Sequence, residues 1–209
     1  MPSENPGLIP SENPVILSEA KDLLLAHVEN YQRSGDVGHL LDQLKALAKH
    51  TPVDQLKALA NEYREMPEVV IPLYERIVTE RPNDAQTIVV LANAYWLTGR
   101  GPDVVGQMAS RAKQIDPDNR GAWHLWASAE SDLRKRVDRW QAVTKRFPAD
   151  QLARAALADN ATSLANDEDD AAALQLAIST YEGLLAESTQ TAQRLALEHT
   201  LETLRTWRL

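Results

Sequence analysis

Five histidines, His27, His39, His50, His124 and His199, are the side chains best suited to proton transfer or metal ligation near neutral pH. Their spacing argues against both roles. No two stand in an HExxH arrangement, and none has a second histidine three or four residues away. Cysteine is absent, which excludes thiolate nucleophiles, disulfides and cysteine-based zinc sites. No glycine-rich phosphate loop and no GxSxG nucleophile turn occurs. The acidic run Asp167-Glu168-Asp169-Asp170 lacks the alternating ligands, central glycine and closing glutamate of a calcium loop, and reads as a solvated loop. These residues predict a chain that is not an enzyme and holds no metal or cofactor.

Charge gives the same direction. The chain carries 22 basic and 30 acidic residues, a formal net charge of −8. Such a balance disfavours nucleic acid, whose binding depends on neutralising phosphates. One basic concentration exists, formed by Arg134, Lys135, Arg136, Arg139, Lys145 and Arg146. It reads first as a solvated helix face and second as a contact for an acidic segment. No apolar run is long enough to insert in a membrane, and no basic stretch leads into an apolar one at the start. The expected location is therefore the cytoplasm.

The elements that position these residues are helical. Arg81-Pro82-Asn83-Asp84-Ala85, Asp116-Pro117-Asp118-Asn119-Arg120 and Phe147-Pro148-Ala149-Asp150-Gln151 each break one helical pattern and start another. Their prolines are roughly 35 and roughly 31 residues apart, the period of a helix-pair repeat. Before them, residues 1–14 hold a proline-rich tandem echo and predict a flexible tail. Ser18 is the expected N-cap of a first helix ending near Gly35. A second helix completes an N-terminal hairpin over 15–50. The stretch Asp42-Gln43-Leu44-Lys45-Ala46-Leu47-Ala48 recurs identically as Asp54-Gln55-Leu56-Lys57-Ala58-Leu59-Ala60, with Thr51-Pro52 breaking the two helices apart. Residues 189–209 supply Leu195, Leu197, Leu201, Leu204 and Trp207 for a capping helix.

Over 51–188 the pattern resembles the tetratricopeptide repeat (TPR) family, whose motif pairs two antiparallel helices in about 34 residues. The clearest unit has Ile88, Leu91, Ala92 and Tyr95, a glycine stop at Gly99, then Val105, Ala109 and Ala112 before Pro117. The unit before it has Leu56, Leu59, Ala60 and Tyr63, then Val70, Tyr74 and Ile77, with Pro72 expected to delay or kink the second helix. The third has Trp123 and Ala127, then Trp140 and Val143, with an inter-helix turn that reads short. The fourth has Leu157 and Ala158, then Ala177, Tyr181 and Leu184. The resemblance implies an all-α chain of antiparallel helix pairs stacked as a short right-handed α-solenoid.

It also implies a function. Members of this family bind a protein or peptide in a concave groove lined by each first helix. The matching residues are Lys57, Asn61 and Arg64, then Gln86, Val89, Asn93 and Trp96, then His124 and Ser128, then Asp159. Lys57 and Asn61, with Asn93 one unit later, resemble the carboxylate clamp of chaperone-binding members. His124 and Ser128 stand where those members complete the clamp with Lys and Arg. The expectation is a non-catalytic adaptor or assembly factor for a protein or peptide partner. The alternative is a regulatory or structural subunit of an enzyme complex, or a chain that self-associates through its helices, which leaves homo-oligomerisation open.

Overall fold

A computed structural model describes residues 14–208, with side chains from Ser18 onward. The tail expected over 1–14 thus lies outside the described residues, except for Pro14. Eleven helices are described, and no strand occurs among the described residues. The chain divides into two compact units, residues 1–82 and 83–209. That division falls inside the expected repeat block 51–188.

The first unit holds α1 (Pro14–Ser34), α2 (Val37–His50), α3 (Val53–Asn61) and α4 (Pro67–Glu80). Helix α1 begins earlier than expected. Proline suits a first helical turn, where its missing N–H is not needed, so Ser18 lies inside the helix and is not its cap. Gly35, at φ +70°, ends α1 in the left-handed conformation that glycine adopts without strain. Asp36 then caps α2 by accepting the His39 N–H at 2.9 Å. At its far end the Thr51 hydroxyl donates to the Leu47 carbonyl at 2.8 Å, and Pro52 forbids continuation. Helix α2 packs on α4, and α3 packs on α4. Pro72 does not delay α4, which starts at Pro67 and runs past it. Pro72 is itself buried, along with Val69, Val70, Leu73, Tyr74 and Ile77, and that apolar burial offsets the lost backbone bond.

The second unit holds α5 (Ala85–Leu97), α6 (Pro102–Ile115), α7 (Arg120–Ser128), α8 (Leu133–Arg146), α9 (Gln151–Glu168), α10 (Ala171–Glu187) and α11 (Thr191–Arg205). Successive helices pack as pairs, and α6 on α7, α8 on α9 and α10 on α11 join pair to pair. Alanines make the close contacts. Ala92, Ala109, Ala112, Ala127, Ala158 and Ala177 are all fully buried. Two glycines mark the tightest approach and the sharpest turn. A Cβ on Gly121 would meet Val89 Cγ1 at 3.0 Å, and Gly101 holds φ +95° at the start of α6.

The three rhyming proline motifs share one device. Each proline ends a helix, and two residues later an Asp or Asn caps the next. Asp84 accepts from Thr87 N–H at 3.0 Å, Asn119 from Ala122 N–H at 3.0 Å and Asp150 from Ala153 N–H at 3.2 Å. Such caps are worth about 1 kcal/mol each. The shorter third repeat is not a shorter turn. Residues 98–101 and 129–132 connect equal lengths, whereas α5 has 13 residues and α7 only 9. The acidic run is also not a loop. Asp167 and Glu168 finish α9, Asp169 takes the left-handed conformation at φ 51°, and Asp170 caps α10.

Helix α11 closes the unit. Leu201 and Leu204 are buried in one core with Tyr181 and Leu184, and Leu197 and Trp207 pack against it. Leu195 departs from the expectation, being 61% exposed on the outer side.

Candidate peptide-binding face

The expected groove residues fall in both units, and each unit presents its own set. In the first, Lys57 and Asn61 lie on α3, but Arg64 lies beyond the helix end because α3 stops at Asn61. Arg64 folds back instead. Its Nε and Nη2 donate to Asn61 Oδ1 at 3.1 and 2.8 Å, and the Tyr74 hydroxyl donates to the same oxygen at 3.0 Å. The Asn61 carbonyl oxygen thus serves the turn after α3.

In the second unit α5 places Gln86, Asn93 and Trp96 at the surface, with Trp96 41% exposed. Val89 is a correction. It is buried, because the close approach of α5 and α7 at Gly121 encloses it. Gln86 is engaged, its Oε1 accepting from Asn119 Nδ2 at 3.2 Å, so it ties α5 to the start of α7. Ser128 ends α7 half-buried, and Asp159 is exposed midway along α9. The Tyr181 hydroxyl donates to Asp159 Oδ1 at 2.5 Å. Burial, then this bond, push the Tyr181 phenol well above its ordinary range.

His124 is turned inward. Its Nε2 lies 2.7 Å from Asp150 Oδ2, and its ring meets Trp140 edge-on at 5.3 Å. Asp150 thus caps α9 with one oxygen and holds α7 with the other. Arg120 Nε stands 3.7 Å from the same carboxylate. Burial opposes ionisation of Asp150, but the Ala153 N–H, His124 and Arg120 together outweigh it and hold the carboxyl below the usual range.

The basic concentration on α8 is a largely exposed helix face whose arginines also reach partners on neighbouring elements. Arg134 bonds Glu168 at 2.5 Å and Asp170 at 2.8 Å. Arg136 Nε donates to Asn160 Oδ1 at 2.7 Å, Arg139 pairs with Glu130 at 2.6 Å, and Arg146 pairs with Asp118. A second feature escaped the sequence reading. Lys113 Nζ lies 4.2 Å from the centroid of the Trp123 ring and 3.3 Å from that of Trp126, with Arg139 4.8 Å from the Trp126 centroid. Burial, then the nearby Arg139 charge, lower the Lys113 pKa. The four residues sit on α6, α7 and α8, so no local spacing could reveal their meeting.

No group of three or more metal-ligating side chains occurs among the described residues. No helix among them is long and apolar enough to cross a membrane.

No protein-family model and no curated protein matches the sequence. Solved structures do match it. The MamA protein is similar at 13% identity with a TM-score of 0.56, over 83% of this chain and 98% of that one. A thermophilic TPR protein of Thermus thermophilus is similar at 15% identity and a TM-score of 0.55, over 90% of this chain and 100% of that one. A tetratricopeptide repeat protein from Parabacteroides merdae gives 15% and 0.58, over 94% and 75%. The likeness lies in the course of the backbone, and that course is the all-α helix-pair fold of tetratricopeptide-repeat proteins.

Proposed function

We propose that this chain is a non-catalytic adaptor or assembly factor that holds a protein or peptide partner on the first helices of its repeats. One observation carries the reading. Asn93 and Trp96, about one turn apart on α5, both stand exposed where the repeat pattern places a ligand-contacting face. An exposed Trp is a common interface anchor, and an Asn amide both donates and accepts along a peptide backbone. The residues that would complete an acidic-tail clamp are missing, and His124 is committed to Asp150.

The test places a photo-crosslinking amino acid at position 96, and separately at Gln107 on α6, in the native host. Capture of the same partner from position 96 and not from 107 supports the reading. Equal capture from both positions removes it. Capture of a second copy of this chain from position 96 favours the self-associating alternative.

A further inference from the structure

The first unit carries a groove that its own side chains leave unfilled. Helices α1 and α2 pack together, and between them lies a space of about 390 Å³. Ala20, Leu23 and His27 of α1 and Gln43, Ala46 and Leu47 of α2 form most of its walls. The volume is at the small end of the range for ligand sites. Ala20 and Leu47 are buried, whereas Leu23 is 51% exposed. Burial, then the nearby His39, lower the His27 pKa, so at pH 7 its ring is neutral and adds no charge to the groove. Gln43 Oε1 is shielded from solvent and has no hydrogen-bond partner among the described residues, so one amide of the wall is unsatisfied.

We propose that this groove receives the chain's own N-terminal segment, with Leu8 and Ile9 as the inserted side chains. Within residues 1–13 these two are the only adjacent pair of large aliphatics, and they stand between the proline-bounded echoes at 2–6 and 10–14. Pro6 and Pro10 restrict the chain on either side of the pair, which lowers the freedom lost on docking. The reach is sufficient. Leu23 lies nine residues beyond Pro14, about 14 Å along the helix, and Leu8 lies six residues before Pro14, up to about 20 Å of chain. Gly7, Leu8 and Ile9 each have a backbone N–H, which the Gln43 amide can accept by turning. Two aliphatic side chains are a small anchor for a free peptide. A short tether raises their effective concentration to about the mM range, which favours this segment over a separate ligand. The groove shares no residue with the candidate peptide-binding face, so the two readings stand or fall separately.

The absence of native cysteine makes the test direct. In the full chain, Gly7→Cys is combined either with Ala46→Cys, in the groove, or with Leu25→Cys, exposed on α1 and outside it. Glutathione disulfide oxidises each double variant at low protein concentration, and non-reducing electrophoresis with mass spectrometry follows the bridges. Each rate is divided by the reactivity of the helix cysteine alone toward a small thiol reagent. The 7–46 bridge is expected to form within one chain at least about tenfold faster than the 7–25 bridge. Adding Leu8→Asp/Ile9→Asp should bring the two rates together. Circular dichroism checks helicity, and Leu23→Cys takes the place of Ala46→Cys if that variant has lost it. Equal rates for the two bridges overturn the proposal, as does a preference that survives Leu8→Asp/Ile9→Asp. Bridges between chains in place of the 7–46 bridge give the groove to a second copy and overturn it too.

Discussion

Asp150→Ala should be among the most damaging single changes in the second unit. The Asp150 side chain is buried, and it does two jobs. Oδ1 caps α9 through the Ala153 N–H, and Oδ2 meets His124 of α7 at 2.7 Å. Losing a cap costs about 0.5–2 kcal/mol. Losing a hydrogen bond to a charged group costs about 1.5–3 kcal/mol. The two share one carboxylate and are not fully additive, so a total of about 2–4 kcal/mol is expected. That corresponds to a melting shift of about 5–15 °C by calorimetry. Asp150→Asn retains a capping oxygen and should lose about half as much. The pH dependence has a definite sign. The Asp150 pKa is depressed in the folded chain, so its carboxylate stabilises the fold above the unfolded value of about 3.9. That contribution is lost as pH falls through the lower folded-state value. The gap between wild type and Asp150→Asn that arises from this ionisation should therefore close below about pH 4. A wild-type melting temperature in Asp150→Ala at pH 7 would refute the reasoning. So would the absence of coupling between His124→Ala and Asp150→Ala in a double-mutant cycle.

Other positions give simpler expectations. Ala92 is fully buried in α5, so Ala92→Leu should overpack the unit and cost about 1–3 kcal/mol in urea unfolding. Gly101 holds φ +95° and ψ 151°, a region almost exclusive to glycine, and a Cβ there would meet no atom within 4 Å. Gly101→Ala should thus cost about 1–3 kcal/mol from backbone strain alone. Deleting residues 190–209 removes Leu201 and Leu204, each 2% exposed, and uncovers Tyr181 and Leu184. Aggregation or a lower melting temperature is expected, and a stable monomer from a wild-type dimer by light scattering would instead make α11 a dimer seam.

Much of the architecture was legible because proline and Asx residues act locally. Pro82, Pro117 and Pro148 stop a helix wherever they stand, and Asp84, Asn119 and Asp150 cap from two residues on. The alanines at helix crossings were legible for a similar reason, since a small residue at a fixed motif position reports a close neighbour. Reading failed where the outcome depends on distant partners. Pro72 looked disruptive because the burial that carries α4 through it is not local. Val89 looked like a groove residue because only Gly121, in the next repeat, permits the approach that covers it. The cross-helix partners of Arg134 and Arg136 were not legible because Glu168, Asp170 and Asn160 lie two dozen residues or more away. The site fared worst, since exposure of Trp96 and engagement of His124 are both settled by tertiary packing.

The irregular repeat lengths have a physical pattern of their own. The second helices α6 and α8 each span 14 residues, while the first helices α5, α7 and α9 span 13, 9 and 18. Each second helix of this stretch packs both on its own first helix and on the next one, α6 on α5 and α7, and α8 on α7 and α9. A first helix can lose or gain a turn at its end so long as its buried alanine, Ala92, Ala127 or Ala158, still meets its partner. Length variation therefore falls on the elements that carry the candidate face. Trp96 comes near the end of α5, Ser128 ends α7, and Asp159 lies midway along α9 with a further two turns beyond it. A regular array would set equivalent side chains at equal heights and suit a repetitive ligand. Unequal first helices set an aromatic, a hydroxyl and a carboxylate at different points along their helices, and if these residues form the proposed face, a partner is expected to bind it in one register.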